Sequence, residues 1–533
     1  MPTIYPVVRA RSGMVVSPHY LASFEGARML REGGNAVDAA ITANAVLGVT
    51  YPHMCGIGGD AFFLIYDNEN DRLFGLNASG RAPYAAKREF FRSKGLSSIP
   101  IRGMLSVTVP GAVDGWCNAI ERFGTKTLSE VIQPAIEYAE RGVPISEKFY
   151  WWITSNIDLL RSSPKLAEMY IKNGRPLSPG DILVQRDLAV TLRKLAEGDR
   201  DEFYKGELAD AIVSFSEENG GLISKRDLID HTSDWVEPIS TPYRDYDVYA
   251  FPPNSQGVAT LIELNIIEGF EISKLGWQSP ECIHLMVEAK KQAFKVRDRY
   301  ITDPRFVEIP LDKILSKDYA SQLREKISLG KANPYNSSKA GEGGTIYLAV
   351  VDMAGNAVSL IQSLYYAFGS GMVVGDTGII LQNRGAYFSL EDNHVNRLEP
   401  HKRTMHTLSP LMVFRDQKPF LVMGTMGADG QPQTHIQIIS NIIDFKMNVQ
   451  EAVEAPRWLS GRFTIGDPVD ILRMERRFPQ STVEKLESMG HKVTCIEEWS
   501  QIMGHAQTIM INKTNGVMTG GADPRGDSAT VGW

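Results

Sequence analysis

Two apolar runs, IYLAVVD at 346–352 and NAVSLIQSL at 356–364, stand on either side of Met353, Ala354 and Gly355. A strand with one face in water alternates apolar and polar residues, whereas these runs are apolar at both parities, so both faces must be covered. That demand excludes a surface ribbon and calls for a sheet with a layer above and a layer below. Asp352, Gly355 and Asn356 are turn-formers, and they join the runs into a hairpin. Centring the loop on Ala354 pairs Val351 with Ala357 and Thr345 with Ser363. Two hydroxyls then face each other with Cβ atoms about 4.5–5.5 Å apart, close enough to hydrogen-bond.

Thr345 also ends a change in texture. KANPYNSSKAGEGG at 331–344 has no aliphatic side chain larger than alanine and reads as a linker. A threonine between a glycine-rich linker and a buried strand has two readings. It is a β-former opening a strand, or it is a nucleophile placed where the chain is to break.

Upstream, residues 20–48 read as a helix, a Gly33-Gly34-Asn35 break and a second, more buried helix, because apolar residues recur at spacings of three and four. AFFLIYD at 61–67 and RLFGLNASG at 72–80 form a strand pair. Residues 125–235 are mostly helical, with 126–142 and 188–198 amphipathic. Two further helical stretches lie between 258 and 300, before the Asp303-Pro304 stop.

Downstream, KPFLVMG at 418–424 reads as a strand, Thr425–Gly430 as a small-residue loop, and Gln433 onward as a helix. Strand, glycine loop and helix N-terminus present backbone N–H groups to an anion or a developing oxyanion, with Gly427 and Ala428 as the donors. A nucleotide site is the weaker reading, since the loop lacks the lysine of a phosphate-binding GxxxxGK motif and GIGGD at 56–60 lacks GxGxxG spacing.

The 533 residues include 43% hydrophobic and 22% charged side chains, the mixture of a globular protein of two lobes or one large layered domain. A net charge of -7 gives no reason to expect nucleic acid or an anionic membrane as partner, and favours a small molecule. Cys55, Cys117, Cys282 and Cys495 form no CxxC pair, so neither zinc nor a disulfide framework is implied. The N-terminal stretch has no apolar run long enough for a signal peptide or membrane span, which places the chain in the cytoplasm as an expectation.

Six fragments in order, GGNAVDAA at 33–40, GIGGDAF at 56–62, TVPGAVDGW at 108–116, PPNSQG at 252–257, HLMVEAKKQAF at 284–294 and DPRGDSA at 523–529, closely resemble the γ-glutamyltranspeptidase family of N-terminal-nucleophile hydrolases. The resemblance implies an α+β fold, an αββα sandwich with additional helices. It implies one precursor that cuts itself between Gly344 and Thr345 into a large subunit, 1–344, and a small subunit, 345–533, which stay together. Whether such units pair into dimers is left open. Glycines 343 and 344 would supply the strained backbone that lets a hydroxyl reach the preceding carbonyl. Thr345 Oγ is then the nucleophile and its freed α-amine, of reference pKa roughly 7.7–8, is the base, so no histidine, metal or cofactor is required. By position Ser363 matches the hydroxyl residue beside that amine, and Gly427 and Ala428 match the oxyanion pair, the second of which is usually glycine. The acyl-enzyme passes to water or to an amine.

The substrate-gripping positions depart from the family. Members that bind γ-glutamyl groups use an arginine in the large subunit, an asparagine two residues after the hydroxyl partner, a glutamine and aspartate three apart, and paired serines. The corresponding positions here read Ser79 with Arg81 two residues on, Tyr365, Arg384 with Tyr387, and His406 with Thr407. Loss of the carboxylate and gain of Arg384 disfavour an α-ammonium and favour a carboxylate. The resemblance is nearer the glutaryl-amide (cephalosporin) acylase and oxamate amidohydrolase branches, and the acyl group is γ-glutamyl or a related acidic group. The other class of reading is an unprocessed, non-catalytic binding protein.

Overall fold

The computed structural model describes residues 3–334, 344–461 and 469–533. Most of the linker reading at 331–344, Gly343 included, lies outside the described residues. Among these residues two seven-stranded sheets dominate. Their strands are, in chain order, β1 (Val8–Ala10), β2 (Met14–Ser17), β3 (Asp60–Asp67), β4 (Arg72–Ala78), β5 (Asp234–Val236), β6 (Ile239–Tyr243) and β7 (Tyr246–Ala250). After the linker come β8 (Gly344–Val351), β9 (Ala357–Tyr365), β10 (Leu411–Arg415), β11 (Lys418–Thr425), β12 (Ala506–Ile511), β13 (Met518–Ala522) and β14 (Ala529–Gly532). One sheet runs β14-β2-β8-β9-β3-β4-β5 and the other β1-β13-β12-β11-β10-β7-β6.

The hairpin explains the layering. On β8, Ile346, Leu348 and Val350 point to one side and join a core with helices α1 (Tyr20–Arg31) and α2 (Ala36–Thr50). Tyr347, Ala349 and Val351 point to the other and meet Met412, Val422 and Ile509 of the second sheet. The far face of that second sheet, with Val248, Leu411, Val413 and Met423, is covered by α3 (Gly257–Ile267), α4 (Pro280–Tyr300) and α5 (Gly430–Ile443). The result is an αββα sandwich in an α+β fold, as the family resemblance implies, and it covers both faces of the doubly apolar hairpin.

Helix α2 shows why the ends fall where they do. Asn35 caps it by accepting from Val37 N and Asp38 N, while Asp38 accepts from Asn35 N. The helix is apolar on nearly every side, and it is correspondingly buried on nearly every side. One boundary differs from the sequence reading. Helix α5 begins at Gly430 rather than near Gln433, because the chain turns directly after the loop, with Gly430 N donating to Gly427 O at 2.6 Å. No helix among the described residues is long and apolar enough to cross a membrane.

The sheets are locked together beneath the hairpin's end. A Cβ on Gly424, near the end of β11, would lie 2.4 Å from the Tyr347 ring, so the glycine lets that ring sit directly on the opposing strand. Thr345 projects on the same side as Tyr347, one pleat nearer the rim, and the loop after Thr425 leaves from the facing sheet.

Candidate active site

The hairpin register pairs Thr345 with Ser363 and Val351 with Ala357. Thr345 Oγ1 donates to Ser363 Oγ at 3.0 Å. Ser363 Oγ in turn donates to the carbonyl oxygen of Gly344 at 2.6 Å and accepts from Tyr365 N at 2.7 Å. The register shifts between Gly344 and Thr345, so the Gly344 carbonyl swings out of the ladder and onto the serine. A hydroxyl, the adjacent carbonyl and a second hydroxyl bridging them therefore share one buried corner.

The role of Gly344 differs from the expectation. Its φ is not in the left-handed range; a Cβ there would instead lie 2.7 Å from the carbonyl of Tyr366 and 2.8 Å from Ala367 N. Close backbone approach, rather than strained dihedrals, demands glycine.

The strained residues lie on the other side of the hydroxyl pair. Tyr365 has φ 80° and Ala428 has φ 45°, conformations that cost a residue with a side chain about 1–3 kcal/mol. Tyr365 is held because its N–H meets Ser363 Oγ and its ring lies 4.0 Å under the guanidinium of Arg384. Such a desolvated cation–π contact contributes up to about 2 kcal/mol.

Arg384 begins a short 3-10 turn, Arg384–Tyr387, its N–H donating to Gln382 Oε1. Its Nη1 donates to Thr407 Oγ1 at 3.1 Å and its Nη2 reaches Ser363 Oγ at 3.5 Å. The side chain is buried, and among the described residues no carboxylate forms a salt bridge with it. Burial pulls its pKa down, partly opposed by Tyr365 and Asp60, yet a guanidinium stays charged at neutral pH. The site thus contains a desolvated cation that feels Asp60 through space but has no carboxylate in direct contact among the described residues.

The two acids on either side are already matched. Burial pushes Asp60 up to about 6, against the pull of Arg384 and the Gly80 amide; its Oδ1 accepts from Gly80 N and its Oδ2 faces His406 Nε2 at 3.2 Å. Asp429 Oδ1 accepts from Arg297 Nη1 at 2.8 Å.

Gly427 (φ 125°) and Ala428 link β11 to α5. Among the described residues neither of their N–H groups meets an acceptor. The Ala428 carbonyl accepts from Gln256 Nε2 at 2.8 Å, and the same nitrogen donates to Thr407 O at 2.7 Å, which ties this loop to the residue that Arg384 touches.

The structure therefore gathers Thr345, Ser363, Tyr365, Arg384 and Thr407 into one cluster, with the Tyr387 ring tilted against that of Tyr365 at 5.7 Å and the Gly427-Ala428 loop connected through Gln256. Two residues expected to grip substrate are engaged elsewhere. His406 Nδ1 accepts from Leu408 N, so its Nε2–H points to Asp60 and no ring nitrogen remains for a ligand. Burial holds it neutral. Arg81 pairs with Asp234 at 3.1 Å and Asp303 at 3.7 Å, and none of its contacts joins the cluster. Asp60, Gln256, Arg297 and Asp429 were not foreseen, although the first two lie inside motifs GIGGDAF and PPNSQG; only the folded chain shows what they face.

Among the described residues, ligand-type side chains that could surround a metal converge at His284, Glu288 and His491, in the helix layer. There His284 Nδ1 meets His491 Nε2 at 2.8 Å, and the Lys291 ammonium already sits 2.6 Å from Glu288 Oε1.

A sequence model of the γ-glutamyltranspeptidase family matches residues 22–533. The chain belongs to the γ-glutamyltranspeptidase family. It is 46% identical to the glutathione hydrolase-like YwrD proenzyme of Bacillus subtilis, over 97% of this chain and 98% of that one. It is 37% identical to the oxamate amidohydrolase proenzyme of Klebsiella pneumoniae, over 98% of each chain. The crystal structure of cephalosporin acylase from Bacillus halodurans superposes with a TM-score of 0.93 at 37% identity, covering 100% of this chain and 98% of that one. Within this γ-glutamyltranspeptidase-family member, the cluster around Thr345 is the candidate active site.

Proposed function

We propose that this chain is a self-processing amidase that uses Thr345 to hydrolyse amides of short acyl groups bearing a free carboxylate. The observation that carries the acyl preference is Arg384, buried beside Ser363 with no carboxylate partner of its own among the described residues.

Self-cleavage follows from the hydroxyl relay. As Thr345 Oγ1 bonds to the Gly344 carbonyl carbon, its proton passes to Ser363 Oγ and the serine proton passes to the Gly344 oxygen. Collapse moves that proton from the Gly344 oxygen to the Thr345 nitrogen as the C–N bond breaks, which frees the α-amine and leaves an ester on Oγ1; water then hydrolyses the ester to a Gly344 carboxylate and the Thr345 hydroxyl. That amine, with a reference pKa of roughly 7.7–8, then takes the Thr345 proton during attack on an external amide. The Gly427 and Ala428 N–H groups receive the oxyanion, and water releases the acid.

The acyl group is read from geometry. The 3.0 and 3.5 Å contacts in series keep Arg384 Nη2 within about 6.5 Å of Thr345 Oγ1. An extended acyl group with at most one methylene between its two carbonyl carbons spans that gap, as in an oxamate-type amide. A glutaryl chain, with three, must fold to fit. An α-ammonium would find Arg384 and the Tyr365 and Tyr387 rings, while Asp60 and Asp429 are already held by His406 and Arg297.

Intact mass and a substrate panel test this. The purified protein should give two fragments split at Gly344/Thr345, and Thr345→Ala a single chain. Among amides of oxalate, malonate, succinate and glutarate together with glutathione, kcat/KM should fall with acyl length. An uncut, inert wild type, or glutathione as the best substrate, defeats the proposal.

A further inference from the structure

Ala428 has a backbone conformation that a residue with a Cβ keeps only when its surroundings enforce it. Three buried side chains supply the enforcement. Gln256, the N-cap of α3, binds the Ala428 carbonyl through Nε2 and accepts at Oε1 from Arg297 Nη1 at 2.8 Å. Arg297, in the last turn and a half of α4 and 4.0 Å over the Phe294 ring, extends the same nitrogen to Asp429 Oδ1 at 2.8 Å. Tyr387 Oη reaches that carboxylate oxygen at 3.5 Å. The loop is thus held at the carbonyl of Ala428 and at the side chain of the next residue, both from the helix layer.

The bond to be cut within the chain is served differently. The Gly344 oxygen accepts from Ser363 Oγ at 2.6 Å, and among the described residues neither Gly427 N nor Ala428 N donates to it. A hydroxyl, rather than the amide pair, is in place to take the charge that develops there.

We infer that Gln256, Arg297 and Asp429 are positioning residues that aim the Gly427 and Ala428 amides for hydrolysis of external amides, and that self-cleavage does not depend on them. This rests on the amidase reading above. Oxyanion donors act in the transition state and hardly at all on bound substrate, so disturbing their support lowers kcat and leaves KM nearly unchanged.

The experiment compares wild type with Asp429→Asn and Arg297→Lys, following self-cleavage by intact mass and hydrolysis of an oxamate-type anilide by kcat and KM. Self-cleavage within twofold of wild type, kcat down 10- to 100-fold and KM within twofold is the expected result. Adding Ala428→Gly should restore kcat several-fold in Asp429→Asn, because glycine takes this conformation without enforcement. A plain loss of stability would not be repaired in that way. Equal losses of self-cleavage and hydrolysis, or kcat unchanged in both variants, overturn the inference while leaving the amidase reading intact. A wild type that cuts itself but hydrolyses no amide sinks the amidase reading and this inference with it.

Discussion

Replacing Arg384 with glutamine removes the charge while keeping a planar, hydrogen-bonding end near Ser363 and Thr407. The magnitude follows from the site's composition. A substrate carboxylate about 4 Å from the guanidinium carbon is attracted by about 4 kcal/mol at an effective dielectric near 20. Stripping water from that carboxylate offsets part of this, leaving about 1.5–3 kcal/mol, the usual worth of a hydrogen bond to a charged group. That corresponds to roughly 10- to 150-fold in kcat/KM. No protein carboxylate among the described residues forms a salt bridge with Arg384, so the substitution breaks no direct ion pair; it removes the pull that Arg384 exerts on buried Asp60 and its contact over the Tyr365 ring. The assay is kcat/KM for an oxamate-type anilide and for its neutral methyl ester, in wild type and Arg384→Gln. The acid should lose its full factor while the ester stays within about threefold. Equal losses on both would refute the claim that Arg384 recognises the carboxylate and would make it a structural support of Ser363.

Three further outcomes are expected. Ser363→Ala removes both the acceptor for Thr345 and the donor to the Gly344 oxygen, so self-cleavage followed on denaturing gels should slow by about 100-fold or more. Gly344→Ala drives a Cβ to within 2.7 Å of the Tyr366 carbonyl and should slow self-cleavage by pulling the Gly344 carbonyl off the serine, leaving the far end of the hairpin unaltered by amide hydrogen exchange. Glu263, fully buried in α3 with no partner for either oxygen among the described residues, is pushed up to about 8 by burial, despite the pull of Lys290 and Arg297 from α4. Its folded pKa lies above the unfolded 4.5, so the native state holds the proton and loses stability as pH rises from 4.5 to about 8. Glu263→Gln should therefore melt with wild type at pH 4.5 and progressively above it towards pH 8; a gap that does not widen with pH would show that Glu263 is not protonated in the fold.

How much of this was legible beforehand depends on whether the deciding interaction is local. That the hairpin's sheet is covered on both faces was readable because such burial is written in consecutive residues, IYLAVVD and NAVSLIQSL; the αββα order of the layers was what the family resemblance implied. The pairing of Thr345 with Ser363 followed from turn chemistry and a period of two, and the structure has that register. Gly427 and Ala428 were legible as a strand-loop-helix junction, although α5 starts at Gly430, three residues before Gln433, because capping is settled by the loop's own bonds.

Other features were beyond a linear reading. Arg81 and His406 occupy positions that suggest substrate contacts, yet Asp234, Asp303 and Asp60, far away in the chain, take up their polar groups. Gly344 looked like a flexible residue and proved to be a clearance for Tyr366. The residue sequence by itself determined that both hairpin faces are covered, the hairpin register and the hydroxyl pair, since these depend on periodicity and neighbouring residues. Only the tertiary structure decided that Arg384 has no carboxylate in direct contact among the described residues, that Gln256, Arg297 and Asp429 brace the amide loop, and that the Gly344 oxygen lies on Ser363. Each of those depends on which partners desolvation brings within hydrogen-bonding range, and range between distant segments is a property of the packed chain alone.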